Sequence, residues 1–218
     1  MKVALCGFLI LGLAAAAARG TEPSIHRDLP PLSSMEVIPL HNGPNEVDLD
    51  GDGRKDLVFV AWRDNGNAHG YSHVAFYRHG DDEGTPWELV PFFDDRPDRD
   101  GVRRSLRQDD SFTTTEGADG KLRAMTLLRA SSDPHAPVTV VIGDREFGRS
   151  YADAARVKFV VYRLAWAKDL DGWPLEGWPP VYFDAVKTIQ GKSRHSYVEE
   201  AFGSELGIRV GSVNRDSR

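Results

Sequence analysis

The stretch that most constrains the fold of this chain is Asp48-Leu49-Asp50-Gly51-Asp52-Gly53-Arg54-Lys55-Asp56-Leu57. Carboxylates stand at relative positions 1, 3, 5 and 9, with glycines at 4 and 6. Alternate side chains in such a loop turn inward around one centre, and Gly53 supplies the left-handed turn that closes it. Clustered carboxylates repel one another unless a cation joins them. A hard cation such as calcium takes about six to eight oxygens, and the backbone carbonyl at Arg54 offers one more ligand. The metal set read from spacing is therefore Asp48, Asp50, Asp52, Arg54 and Asp56, with Ca2+ as the cofactor. It is not an EF-hand, because position 12, where a bidentate Glu belongs, is Phe59. The alternative reading is an Asx-turn-rich surface loop held by its own hydrogen bonds. Either way the loop runs straight into the apolar run Leu57–Trp62, so it opens a strand, and its expected role is structural.

Further runs extend this β-rich reading. Strands are expected near Met35–Leu40, over Tyr71–Arg78 and Trp87–Val90, and again over Lys121–Arg129 and Pro137–Ile142. The longest runs, Val157–Trp166 and Pro180–Ile189, predict a hairpin whose turn holds Asp169-Leu170-Asp171-Gly172. Trp173 to Pro180 is rich in tryptophan and proline, and its rings serve as core plugs or as a stacking surface. Helix is expected as a turn near Arg149–Arg156 and as a segment Ser196–Leu206, where Ser196 and Glu199 make a capping box. Asp94–Gly101 and Gln108–Asp110 read as charged surface loops. The class is α+β and β-rich: an antiparallel sheet or sandwich with a calcium-loop-to-strand element and a short C-terminal helix.

The first residues predict an address. Lys2 precedes a short apolar core ending near Leu13, and Ala14–Ala18 offers small residues for cleavage, which together describe a secretory signal peptide over 1–20. The apolar run is shorter than the ~18 residues a membrane-spanning helix needs. Cys6 begins the apolar core and does not follow it, so it is no lipoprotein anchor. It is also the single cysteine, so removal of the leader excludes both a disulfide framework and a thiol nucleophile. Residues 21–34 read as a linker, 35–210 as a single β-rich domain, and 211–218 as a flexible tail. The formal net charge of −6 argues against nucleic acid or an anionic membrane as partner.

Other chemistry is sparse. His69 and His73 are spaced for zinc only if they share a helical turn, which Gly70 and the expected strand oppose. The chain has no Ser-x-x-Lys, no Gly-x-Ser-x-Gly, no His-Glu-x-x-His and no Gly-rich phosphate loop, so standard hydrolase arrangements are missing. The expectation is a protein that is not an enzyme.

The segment His41–Tyr77 (HNGPNEVDLDGDGRKDLVFVAWRDNGNAHGYSHVAFY) resembles the carbapenem intrinsic-resistance, CarG-like, proteins. The resemblance lies in the acidic loop that enters a strand, in Trp62 to His69, and in Ser72 to Tyr77. It implies a periplasmic, dimeric protein that confers antibiotic resistance by binding a carbapenem, or a related small ligand, without hydrolysing it. A ligand site would then fall around Trp62, Arg63, Asn67, His69 and His73. Arg63 would grip a carboxylate, Trp62 would form an apolar wall, and Asn67 and His69 would meet ring carbonyls. Against this stands the plainer reading in which Trp62 is core and Arg63 brackets the acidic loop. The rival functions are a metal-dependent hydrolase of unrecognised type and a cell-envelope interaction domain.

Overall fold

Strands dominate because β-branched and aromatic residues recur in short runs between turn residues. The computed structural model describes residues 29–67, 69–80, 86–94, 107–117, 120–167 and 178–209. The expected signal peptide, most of the linker, the tail and the hairpin turn Asp169–Gly172 lie outside these residues. The strands are β1 (Met35–Ile38), β2 (Gly43–Val47), β3 (Asp56–Asp64), β4 (Gly70–His79), β5 (Trp87–Leu89), β6 (Phe92–Asp94) and β7 (Arg107–Asp109). They continue as β8 (Phe112–Thr113), β9 (Thr115–Gly117), β10 (Gly120–Ala130), β11 (Thr139–Arg145), β12 (Val157–Trp166) and β13 (Val181–Gln190), followed by helix α1 (Val198–Leu206).

They form two sheets. The larger, eight-stranded sheet runs β1-β10-β11-β12-β13-β6-β7, with β9 also on β10, and the smaller runs β2-β3-β4-β5, with β8 also on β4. Among the described residues, the named strands pair antiparallel except β6 with β13. The expected class, β-rich α+β with a short C-terminal helix, is the class observed. The chain passes from the small sheet to the large one at Val90-Pro91: the Val90 N–H donates to Phe76 O at 2.9 Å, and Pro91 O accepts from Phe183 N at 2.8 Å.

Two cores explain why the central runs are apolar throughout and not alternating. Between the sheets, Val58, Val74 and Phe76 of the small sheet meet Val140, Ile142 and Phe183 of the large one. The Phe76 ring stands edge-on to Phe92 and Phe183 at centroid distances of 5.6 and 5.0 Å. Behind the large sheet, α1 lays Val198, Ala201 and Phe202 on Val141, Phe159 and Val161. That spacing is one helical face. Gly143 permits the approach, since a Cβ there would lie 2.8 Å from the Val198 side chain. Leu32 is buried in this second core, so packing begins a few residues before Met35.

Several local expectations are corrected. Helix α1 starts at Val198 behind Tyr197, and no side chain caps it; Glu199 does not complete a capping box but pairs with Lys121 at 2.6 Å. Residues 149–156 form turns and bends, not helix; the buried Arg145 of β11 holds the Tyr151 and Asp153 carbonyls, and Arg194 and His195 hold those of Ala154 and Ala155. Gln108 and Asp109 lie within β7, paired with β6. At the far end of α1, Gly207 takes φ +68° and its N–H bonds to Gly203 O, while Ile208 N–H reaches Phe202 O. This is a left-handed C-terminal cap.

Beside that cap, the Glu205 carboxylate accepts from Lys192 N at 3.0 Å and Ser193 N at 2.6 Å, and meets His195 Nε2 at 3.4 Å. Hydrogen bonds from Lys192 and Ser193 lead the influences that hold its pKa down at about 2, from an ordinary 4.5. A depressed carboxylate stabilises fully above its unfolded pKa, and that contribution fades as pH falls towards the folded value. Glu205→Gln is therefore expected to flatten the loss of stability on acidification from about pH 4.5 to 2, measured by urea melts across that range. A variant whose acid slope matched the parent would remove this role from Glu205.

Candidate functional site

The acidic loop links β2 to β3 and is built from within. Asp48 accepts from Gly51 N at 2.7 Å and from Gly53 N at 3.0 Å. Asp50 accepts from Asp52 N, and Asp52 from Arg54 N at 2.7 Å. Gly51 and Gly53 both take positive φ, +83° and +86°. Gly51 has a second reason: a Cβ there would lie 1.8 Å from the His135 carbonyl oxygen, so the loop docks on the β10–β11 connection. Arg129 seals that contact by donating to Asp48 O and, at 2.8 Å, to Pro134 O.

Asp56 is 2% exposed. Its carboxylate accepts from Leu49 N and from His79 N, both at 2.8 Å, and so ties the loop to β4. Burial is the leading influence on its carboxyl and raises its pKa; the two N–H bonds oppose that, and the charges on Asp50 and Asp52 reinforce it. Arg78, 7% exposed, bridges Asp50 at 2.7 Å and Glu88 at 3.1 Å.

Asp48, Asp50 and Asp56 each offer a carboxylate oxygen, and these oxygens lie within 4.8 Å of one another. The cluster could hold a metal ion. Its all-oxygen donor set suits a hard cation, and each oxygen that accepts one N–H retains a second lone pair. Asp52 falls outside this triad and instead holds the Arg54 N–H. The Arg54 guanidinium reaches Gly80 O at 3.4 Å and 3.5 Å. Sequence reasoning missed Arg78, the cation already beside Asp50. Its signal was a basic residue on the inward parity of an alternating strand, with Val74 and Phe76.

The ligand residues read from sequence lie at the opposite end of the β3–β4 hairpin. Trp62 shares the parity of Val58 and Val60, and its indole lies over Gly70, where a Cβ would come within 2.0 Å of the ring. It is 45% exposed, so it is not core. Arg63 and His73 point to the other face of the sheet by strand alternation. There the Arg63 guanidinium sits over the Tyr71 ring at 4.7 Å, and His73 Nδ1 is 3.0 Å from Thr113 Oγ1. Asn67 accepts from His69 N at 2.8 Å within the turn. His69 turns towards β9, with Nδ1 3.3 Å from Glu116 O and its ring 5.2 Å from Tyr151. His69 and His73 thus serve separate partners through Nδ1. The structure also brings in Glu116, Gly117 and Tyr151, which sequence reasoning did not place here. Of the aromatic stretch read from sequence, Trp178 is described; it stacks on Phe93 at 5.3 Å and is 38% exposed.

Fold and site together define a two-sheet β protein in which an acidic, metal-competent loop opens the central hairpin of the smaller sheet. No protein-family model and no curated protein matches the chain. Among solved structures, the crystal structure of CarG is similar with a TM-score of 0.60 and 19% identity, over 77% of this chain and 94% of that one. The fold is CarG-like.

Proposed function

We propose that this protein is a periplasmic binding protein that takes up a carbapenem, or a related small ligand, without hydrolysing it. The observation that carries this reading is local. The segment His41–Tyr77, which resembles the carbapenem intrinsic-resistance proteins, folds as one continuous unit, β2–loop–β3–β4, inside a CarG-like fold. The reading includes a homodimer, which light scattering of the purified protein measures directly. Incubation with a carbapenem tests the function: the β-lactam absorbance should persist while calorimetry records saturable heat. Loss of that absorbance over many turnovers would replace this reading with a hydrolase. No heat at all would favour an envelope interaction domain.

Calcium at Asp48, Asp50 and Asp56 is part of the proposal, supported by the oxygen donor set and its convergence. A cation bound only to the native state raises stability by mass action, about 2.7 kcal/mol at a hundred times Kd. Chelation should therefore lower Tm by several degrees, with recovery on adding calcium, and Asp48→Asn should shrink that difference. A specific observation favours a second reading: the same carboxylates already accept backbone N–H bonds. On that reading the loop stands without metal, and identical melting curves in chelator and in calcium would establish it.

A further inference from the structure

The connection 146–156, between β11 and β12, is braced from inside. Glu146 N donates to Arg156 O at 3.0 Å and closes its neck. Arg145, 4% exposed, donates to Tyr151 O at 2.6 Å, to Asp153 O, and to His195 O at 3.4 Å. The Asp153 carboxylate accepts from Arg149 N at 2.6 Å and from Ser150 N at 3.1 Å. These anchors consume the polar backbone of the loop and leave its rings on display. Phe147 is 60% exposed and stands edge-on to Tyr151 at 5.4 Å, while Tyr151 in turn meets His69. Gly117 makes that meeting possible: a Cβ there would lie 2.9 Å from the His69 ring and 3.3 Å from Tyr151. A single exposed phenylalanine needs no explanation. Rings held in contact by a braced loop, beside a histidine from the β3–β4 turn, describe a preorganised surface.

We propose that Phe147, Tyr151 and His69 form the wall of a small-molecule subsite for a ligand with an apolar ring face and a carboxylate. That is the chemistry of a β-lactam, so the inference rests on the binding function proposed above and extends its site to the β11–β12 loop. The rings take the apolar face. His69 Nδ1 faces a carbonyl and therefore carries a proton, which leaves Nε2 as the atom that meets a polar group of the ligand. Arg149, exposed between the two rings in the chain, supplies a guanidinium for the carboxylate. The Glu116 carboxylate lies 3.4 Å from Lys121 Nζ, a cation it shares with Glu199 at 2.6 Å, so the anion contact rests on Arg149. The occupant is small. An aromatic side chain offers about 150–250 Å² in full, so these part-buried rings fall short of the ~800 Å² per partner of a stable protein interface.

Calorimetric titration of a carbapenem into wild type, Phe147→Ala and Gly117→Ala tests this. Wild type should bind; Phe147→Ala should bind about tenfold more weakly, by loss of one ring contact, with an unchanged melting curve. Gly117→Ala, which separates His69 from Tyr151, should weaken binding as well. If wild type binds and both variants match it, the subsite is wrong and the proposed function stands. Weakening by Trp62→Ala alone would likewise overturn it, moving the ligand to the end of the β3–β4 hairpin. If wild type gives no heat, the proposed function and this subsite fall together.

Discussion

Phe76→Ala is expected to lower the unfolding free energy by about 3–5 kcal/mol. Phe76 is fully buried and belongs to the small sheet, yet its ring meets Phe92 and Phe183 of the large sheet. Phe92 and Phe183 themselves stack at 4.9 Å. Truncation removes transfer energy and leaves a cavity between two sheets that cannot close independently, because the chain crosses between them at Val90-Pro91. For a domain of this size the shift in Tm is about 2–4 °C per kcal/mol. Urea melts should show a lower midpoint at unchanged slope. Phe147→Ala provides the contrast, since an exposed side chain changes stability by no more than about 0.5 kcal/mol. Equal effects from the two variants would mean that the sheets do not pack through these rings.

Asp56→Ala, measured in chelator, is expected to cost about 2–6 kcal/mol, because one buried and one part-buried N–H group lose their acceptor at about 1–3 kcal/mol each. Those donors belong to Leu49 and His79, so the carboxylate joins the acidic loop to β4 whether or not a cation is present. Asp52→Ala removes one exposed acceptor, that of the Arg54 N–H, and is expected to cost under about 1 kcal/mol. Working in chelator separates the two roles of Asp56. A large loss there is the structural role; any additional loss in calcium is the metal's. Should Asp56→Ala melt with the parent in chelator and differ only in calcium, the carboxylate would be a ligand and nothing more.

The long strands were legible. Val157–Trp166 is observed with the bounds its apolar run predicts, and Pro180–Ile189 becomes Val181–Gln190. Both strands are long, and β12 is buried through most of its length while β13 is buried at Val181 and Phe183, so their apolar and β-branched runs report strand directly. The short strands β6 to β9 were not legible, since two or three residues carry no period. Nor could the parallel match of β6 with β13 be read, because nothing in Phe92-Phe93-Asp94 names its partner. The capping box failed because the helix starts at Val198 behind Tyr197, which puts Ser196 outside the N-cap position, and Glu199 pairs instead with Lys121 of β10. The ligand residues were grouped by closeness in sequence, whereas alternation along β3 sends Trp62 and Arg63 to opposite faces.

By itself the sequence determined the form of the acidic loop and the identity of its major strands. Asx turns, left-handed glycines and apolar runs are set by neighbours a few residues apart, and they need no tertiary partner to be recognised. Only the tertiary structure decided that Arg78 stands beside Asp50, that the Asp48 carbonyl meets Arg129, and that His69 lies against Glu116 and Tyr151. Those contacts join positions 28, 81 and 47 residues apart, and they follow from how two sheets stack and where the chain crosses between them.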